Sequence, residues 1–215
     1  FEGDYMLTQK EVVERRTFDD AVSYGGWALD LHPADGIYSA LPGCNQWHSR
    51  GVYQIPYRTL YSRNIRNLFL AGRIISASHV AFGSTRVQAT LSEAAQAVAI
   101  AAAQCIAEKV EPAALLEPER MQRLQRSLLR SGQFIPGFAL TDSNDLVQTA
   151  TISASSSLAF SGFPADTDAR TLDVSWGQLL PLAAGQIPTI TLGLDIAEAT
   201  TVEVELLRGR QGDDY

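Results

Sequence analysis

The segment NLFLAGRIISASHVAFGSTRVQAT, Asn67 to Thr90, limits what this chain can fold into more than any other stretch. An apolar run, Leu68 to Ala71, is bounded by Asn67 and stops at Gly72. Its length and lack of polar alternation predict a strand buried on both faces of a parallel sheet. A polar loop carrying His79 follows, and then Gly83-Ser84-Thr85 opens a new periodicity. Val87, Leu91, Ala94, Ala95, Val98, Ala102 and Ile106 recur at helical steps, with Ser84 or Thr85 as the cap and Lys109 and Pro112 marking the end. A strand ending in Ala71-Gly72 leaves its backbone open at the carboxyl end, where ligands sit in open α/β sheets. The start of a helix presents unpaired N–H groups and partial positive charge, which suit an anionic or electron-rich group. Arg86, in the predicted first turn, is open to two readings: a fixed charge beside such a ligand, or a pair with Glu93 or another carboxylate.

The flanks are read more coarsely. Thr17 to Ala28 predicts a helix capped by Thr17 or Asp19 and ended by Gly25-Gly26. LDLHPADGIYS reads as an extended piece before a turn, and GVYQIPYRTLYS as a strand with its connection. Pro118 fits the first turn of a further helix with Met121, Leu124, Leu128 and Leu129 on its apolar face and Gly132 at its C-terminal cap. Past Asp142 alanine gives way to Ser, Thr and alternating patterns, of which Val202 to Leu206 is the clearest, and these predict a β-rich, sandwich-like region.

Composition narrows the function classes. A formal net charge of -7 argues against a nucleic-acid binder held by phosphate contacts. Cys44 and Cys105 are too few for a disulfide framework and read as two free, mostly buried thiols, and three dispersed histidines do not suggest a metal site. The richest apolar run, Ala94 to Ile106, falls short of the ~20 residues of a membrane helix. The chain opens on FEGDYML, which reads as the middle of a domain, and the residues leave the compartment open between cytoplasm and export. Trp27, Trp47 and Tyr53 are open between lining a substrate cavity and ordinary packing, as Trp176 and Phe160 are between sugar stacking and core.

NLFLAGRIISASHVAFGSTRVQATLSEAAQAVAIAAA resembles the C-terminal flavin-binding segment of the FAD-dependent oxidoreductases of the FAD_oxidored type, within the wider glutathione-reductase-like group. The pattern shared is NL-x-x-AGR-x-IS-x-(S/T)H-x-A-x-GS-x-RV-x-x-T followed by an Ala-rich helix. GDYMLTQKEVVERRTFDDAVSYGGWALDLHP is similar to that family's substrate-domain segment, with its Gly-Gly and D-x-H elements. LQRSLLRSGQFIPG is similar to the stretch after the flavin helix in a bacterial subgroup. The resemblance implies an α/β fold: residues 1–66 part of a substrate or cap region, 67–138 the end of a Rossmann-like FAD-binding domain, and 142–215 a β-rich module.

It also implies site roles. Ala71, Gly72 and Arg73 would lie against the ribityl–pyrophosphate region of FAD, with Arg73 where many flavoproteins carry an acidic residue. Gly83, Ser84, Thr85, Arg86 and Val87 would face the isoalloxazine, whose N1–C2=O edge gains from a helix N-terminus as it is reduced. His79 and His32 would lie toward the substrate, imidazole being suited to moving the proton that accompanies a hydride. The activity implied is hydride transfer between flavin and a small organic, sugar-like substrate. The family's G-x-G-x-x-G fingerprint is absent, since no two glycines stand two apart, so the remainder of a flavoprotein chain would be needed for a full site. The alternative is a noncatalytic carbohydrate- or surface-binding or assembly module.

Overall fold

A computed structural model describes residues 1–157, 171–177, 185, 187 and 189–207. These fall into two units, Phe1–Asp145 and Leu146–Leu207. The first mixes helices with small antiparallel sheets. Strand β1, Ala21–Gly25, pairs antiparallel with β4, Tyr53–Pro56, and β2, Leu29–Leu31, with β3, Asn45–Trp47. Helices α1 (Gln9–Glu14), α2 (His79–Thr85), α3 (Gln88–Glu108) and α4 (Pro118–Arg130) complete it.

Residues 17–28 thus hold a strand where a helix was expected. The reason is tertiary. Asp20, beside the expected cap, accepts instead from Arg58 through its backbone N, Nε and Nη2 at 3.1, 2.9 and 3.0 Å. The Phe18 N–H donates to Gln54 Oε1 at 2.6 Å. Val22 and Tyr24 favour the pleated conformation once β4 is alongside. Gly25-Gly26 marks the end of this strand rather than of a helix, and a Cβ on Gly25 would collide with the Tyr53 ring, 2.3 Å from its hydroxyl.

Both α3 and α4 pack on β1. Side-chain amides satisfy carbonyls of this strand and of the residue entering it: Gln125 Nε2 donates to Asp19 O and Ala21 O at 2.8 and 3.0 Å, and Gln133 Nε2 to Val22 O at 2.5 Å. A buried carbonyl without a partner would cost about 1–3 kcal/mol, so these glutamines belong inside. Around them, Val22, Ile55, Tyr57, Leu60, Leu115, Leu124, Leu128 and Ile135 form the fully buried core.

The alanine helix exists and ends at Lys109, left-handed at φ 55°, as read. Its start and its face differ. Gly83-Ser84-Thr85 do not open it: they close the separate helix α2, and Val87 precedes α3. Thr90, Ala94, Ala97, Ala101 and Cys105 are buried, while Ile106 is 79% exposed. Small side chains at those positions let β1 approach closely, a criterion that hydrophobicity alone misses. By length and composition α3 is the one described helix long and apolar enough to cross a membrane, and one stripe of it is buried against the core. Helix α4 begins at Pro118 and buries Met121, Leu124 and Leu128, with Leu129 only partly covered and Gly132 at φ 87° beyond its end.

Leu68–Ala71 is not a strand of a parallel sheet. It folds back on residues 60–62, with Ser62 N to Leu68 O at 2.9 Å, Leu70 N to Leu60 O at 2.7 Å and a single antiparallel bridge, Tyr61 to Phe69. The polar turn at Arg63–Asn67 supplies a local partner before a distant one is needed. The one parallel pairing among the described residues is the bridge Leu7–Ala77.

The described residues of the second unit give the sandwich expectation no support. Its described residues hold a 3-10 turn at Leu146–Thr149 and no strand, Val202 to Leu206 included, and Trp176 is exposed. Alternation makes one face apolar, but without a paired neighbour the backbone has no ladder to join. Phe160 lies outside the described residues.

Because Leu124 is fully buried and Ile106 is not, Leu124→Ala should lower the unfolding free energy by about 2–5 kcal/mol, and Ile106→Ala should stay within about 0.5 kcal/mol. Urea unfolding checks both, and equal losses would restore the face read from sequence.

Candidate functional site

The residues singled out in sequence gather around α2. Ser78 caps this helix, its Oγ accepting from Ala81 N at 3.3 Å, so His79 is the first helical residue and exposed rather than part of a loop. At the other end Gly83, Ser84 and Thr85 are buried against β2. A Cβ on Gly83 would lie 2.8 Å from Asp30 O and 3.1 Å from Asp30 N, so only glycine allows this helix–strand approach. Packing, not helix initiation, explains the second glycine of the segment.

The Ser84 hydroxyl donates to Trp27 O at 2.5 Å and lies 2.7 Å from Tyr53 Oη. With its single proton given to Trp27, Ser84 must accept from the tyrosine, giving one chain, Tyr53 to Ser84 to Trp27. Burial pushes the Tyr53 hydroxyl up to about 12. Tyr53 is therefore core, while Trp27 and Trp47 are exposed. Thr85 Oγ1 is buried without a hydrogen-bond partner.

Arg86 stands at the junction of α2 and α3. Its Nη2 donates to Asp30 Oδ2 at 3.0 Å and to His32 Nε2 at 2.8 Å, and His32 Nδ1 lies 2.8 Å from Gly43 O. The carboxylate that Arg86 takes is thus Asp30, not Glu93. Sequence reasoning missed Asp30 as a site residue, yet a signal was present: in the extended piece read there, residues two apart such as Asp30 and His32 lie on one face. His79 does not join this cluster, since it sits at the far end of α2, about 10 Å along the axis at ~1.5 Å per residue.

The other half of the segment lies nearby. Ala71 leads into a 3-10 turn, Gly72–Ile74, that packs on α3. Gly72 has φ 68°, a left-handed conformation that side chains rarely take, and a Cβ there would meet nothing within 4 Å. The Arg73 guanidinium lies over the Phe82 ring at 5.2 Å and ties this turn to α2.

Helix α3 starts without a side-chain cap, because Val87 has no acceptor to offer, and Gln88 and Ala89 at its first turn are exposed. An uncapped start of a 21-residue helix carries roughly half a unit of positive charge. An open glycine turn against that helix, an arginine at its entrance and unclaimed N–H groups fit an electron-rich group with a chain lying close to backbone. Among the described residues no cluster of His, Cys, Asp or Glu could hold a metal ion. Cys44 is exposed and free, contrary to the expectation of a buried thiol, whereas Cys105 is buried and free.

Two expected outcomes follow from the packing. Gly83→Ala should cost about 1–3 kcal/mol, as overpacking does, in a thermal or urea melt; an unchanged midpoint would show that α2 can back away from Asp30. Tyr53, Tyr57 and Tyr61 all hold their protons more tightly when folded, chiefly through burial. The unfolded chain ionises first, near pH 10, so stability is intact below that pH and falls as pH rises toward and past 12. Urea midpoints that stay level between pH 8 and pH 11 would contradict this.

The chain matches the family described as FAD dependent oxidoreductase over residues 1–128. No curated protein and no solved structure matches it.

Proposed function

Because the chain belongs to the FAD dependent oxidoreductase family, whose cofactor is FAD, we propose that the α2–α3 junction and the Gly72 turn face the flavin of an enzyme moving a hydride to or from a small organic, sugar-like substrate. The observation that carries this reading is the uncapped start of α3, with Arg86 at its entrance and the open Gly72 turn packed on it. Bound FAD supplies the hydride-accepting ring, which no side chain of this chain can replace.

The chain's own residues divide the work. Ala71, Gly72 and Arg73 give the ribityl–pyrophosphate region a backbone surface free of side chains at Gly72. Gly83, Ser84 and Thr85, buried on β2, form the floor that sets the direction of the junction. Arg86 and Val87, with the N–H groups of Gln88 and Ala89, would face the ring and favour the negative charge it carries when reduced. His79, exposed at the start of α2, gives or takes the proton that travels with the hydride. A pyrophosphate cradle of the G-x-G-x-x-G kind comes from residues other than these.

Purified together with the residues that supply that cradle, the protein should be yellow and release FAD on denaturation; a colourless protein without FAD sinks the reading. Mixed anaerobically with sugar-like alcohols, it should lose its visible flavin colour as the ring is reduced. His79→Gln should slow that bleaching by about 10²–10⁴-fold, the usual contribution of a positioned acid or base, while FAD stays bound. A variant as fast as the parent removes His79 from the proton path.

A further inference from the structure

Resting on that flavin-facing reading of the α2–α3 junction, we propose that His32 and Asp30 are positioning residues that fix the Arg86 guanidinium, with His32 held as the neutral tautomer protonated on Nδ1. Two separate contacts select the same proton position. A guanidinium only donates and is never deprotonated in proteins, so His32 Nε2, 2.8 Å from Arg86 Nη2, must supply a lone pair. A backbone carbonyl only accepts, so His32 Nδ1, 2.8 Å from Gly43 O, must carry the hydrogen. Asp30 Oδ2 also faces Nε2, but at 3.5 Å, farther than Arg86 Nη2 at 2.8 Å, so a proton on Nε2 would point at the nearer cation and break the shorter contact.

Asp30 completes the grip. Its Oδ2 accepts from the same Nη2 at 3.0 Å, and its side chain is 11% exposed. Both Nη2 hydrogens are thereby used in one direction. Nε–H and the two Nη1 hydrogens have no partner among the described residues. The guanidinium is oriented at one end and free to donate at the other. His32 therefore acts through Arg86 and does not carry the transferred proton. His79, at the opposite end of α2, is left for that role.

The test uses the full chain carrying its FAD, with histidine labelled by nitrogen-15. The His32 ring should give the nitrogen shifts of a neutral ring with its hydrogen on Nδ1; a ring protonated on Nε2, alone or on both nitrogens, overturns the proposal. His32→Ala and Asp30→Asn should each retain FAD about tenfold less tightly and shift the flavin's visible band, a tenfold change being about 1.4 kcal/mol. His32→Gln, whose amide oxygen can accept where Nε2 did, should stay within about twofold of the parent. If His32→Ala melts with the parent and keeps both the parent's FAD affinity and its visible band, the positioning role is gone while the flavin reading stands. If the parent itself holds no FAD, the flavin reading falls, and the ring's proton position still decides whether His32 orients Arg86.

Discussion

The contact of Gly83 with the Asp30 backbone is the constraint on which the rest of the site depends. A helix of seven residues is too short to persist alone, since isolated helices below about 12–15 residues are marginal. Helix α2 is held by its seat on β2, and that seat exists because Gly83 has no Cβ. Once α2 is down, Ser84 reaches Trp27 O, and Arg86 reaches Asp30 and His32. The entry into α3 inherits its position from the same contact, because only Arg86 and Val87 lie between the two helices.

Electrostatics at the junction follow from that placement. Asp30 offsets the charge of Arg86, so the pair directs donors more than it adds net positive charge. The start of α3 has no such counterpart, as Val87 offers it nothing and Gln88 and Ala89 are open to solvent. In a flavoenzyme this division is useful: the helix terminus favours charge at the ring edge, and the tethered arginine sets direction. The core does the remaining positioning, with α3 and α4 clamped on β1 through small residues and through Gln125 and Gln133.

Much of the candidate site could be named from sequence because its residues are contiguous. The run from Ala71 to Val87 carries a family pattern that composition could not mimic, and the family match over residues 1–128 agrees with it. What could not be read was how that run bends. One helix was expected from Gly83 onward, and two are present, because nothing local announces that Thr85 ends a helix rather than caps one. The expected helix at 17–28 failed for a related reason. Thr17 and Asp19 have the chemistry of local caps, but the segment is fixed by neighbouring Asp20 on Arg58 and by pairing with β4, far along the chain.

The sequence by itself determined the chain's family, its cofactor class and the elements whose signals are local: α4 with Pro118 and Gly132, the end of α3 at Lys109, and strand β4 before its turn. Tertiary structure alone decided which face of α3 is buried, where Leu68–Ala71 finds its hydrogen bonds, and that Asp30 rather than Glu93 holds Arg86. The physical reason is range. Capping, turns and periodicity act within a few residues. Ion pairs, strand partners and close backbone approaches join residues tens of positions apart, and a linear pattern carries no distance between them.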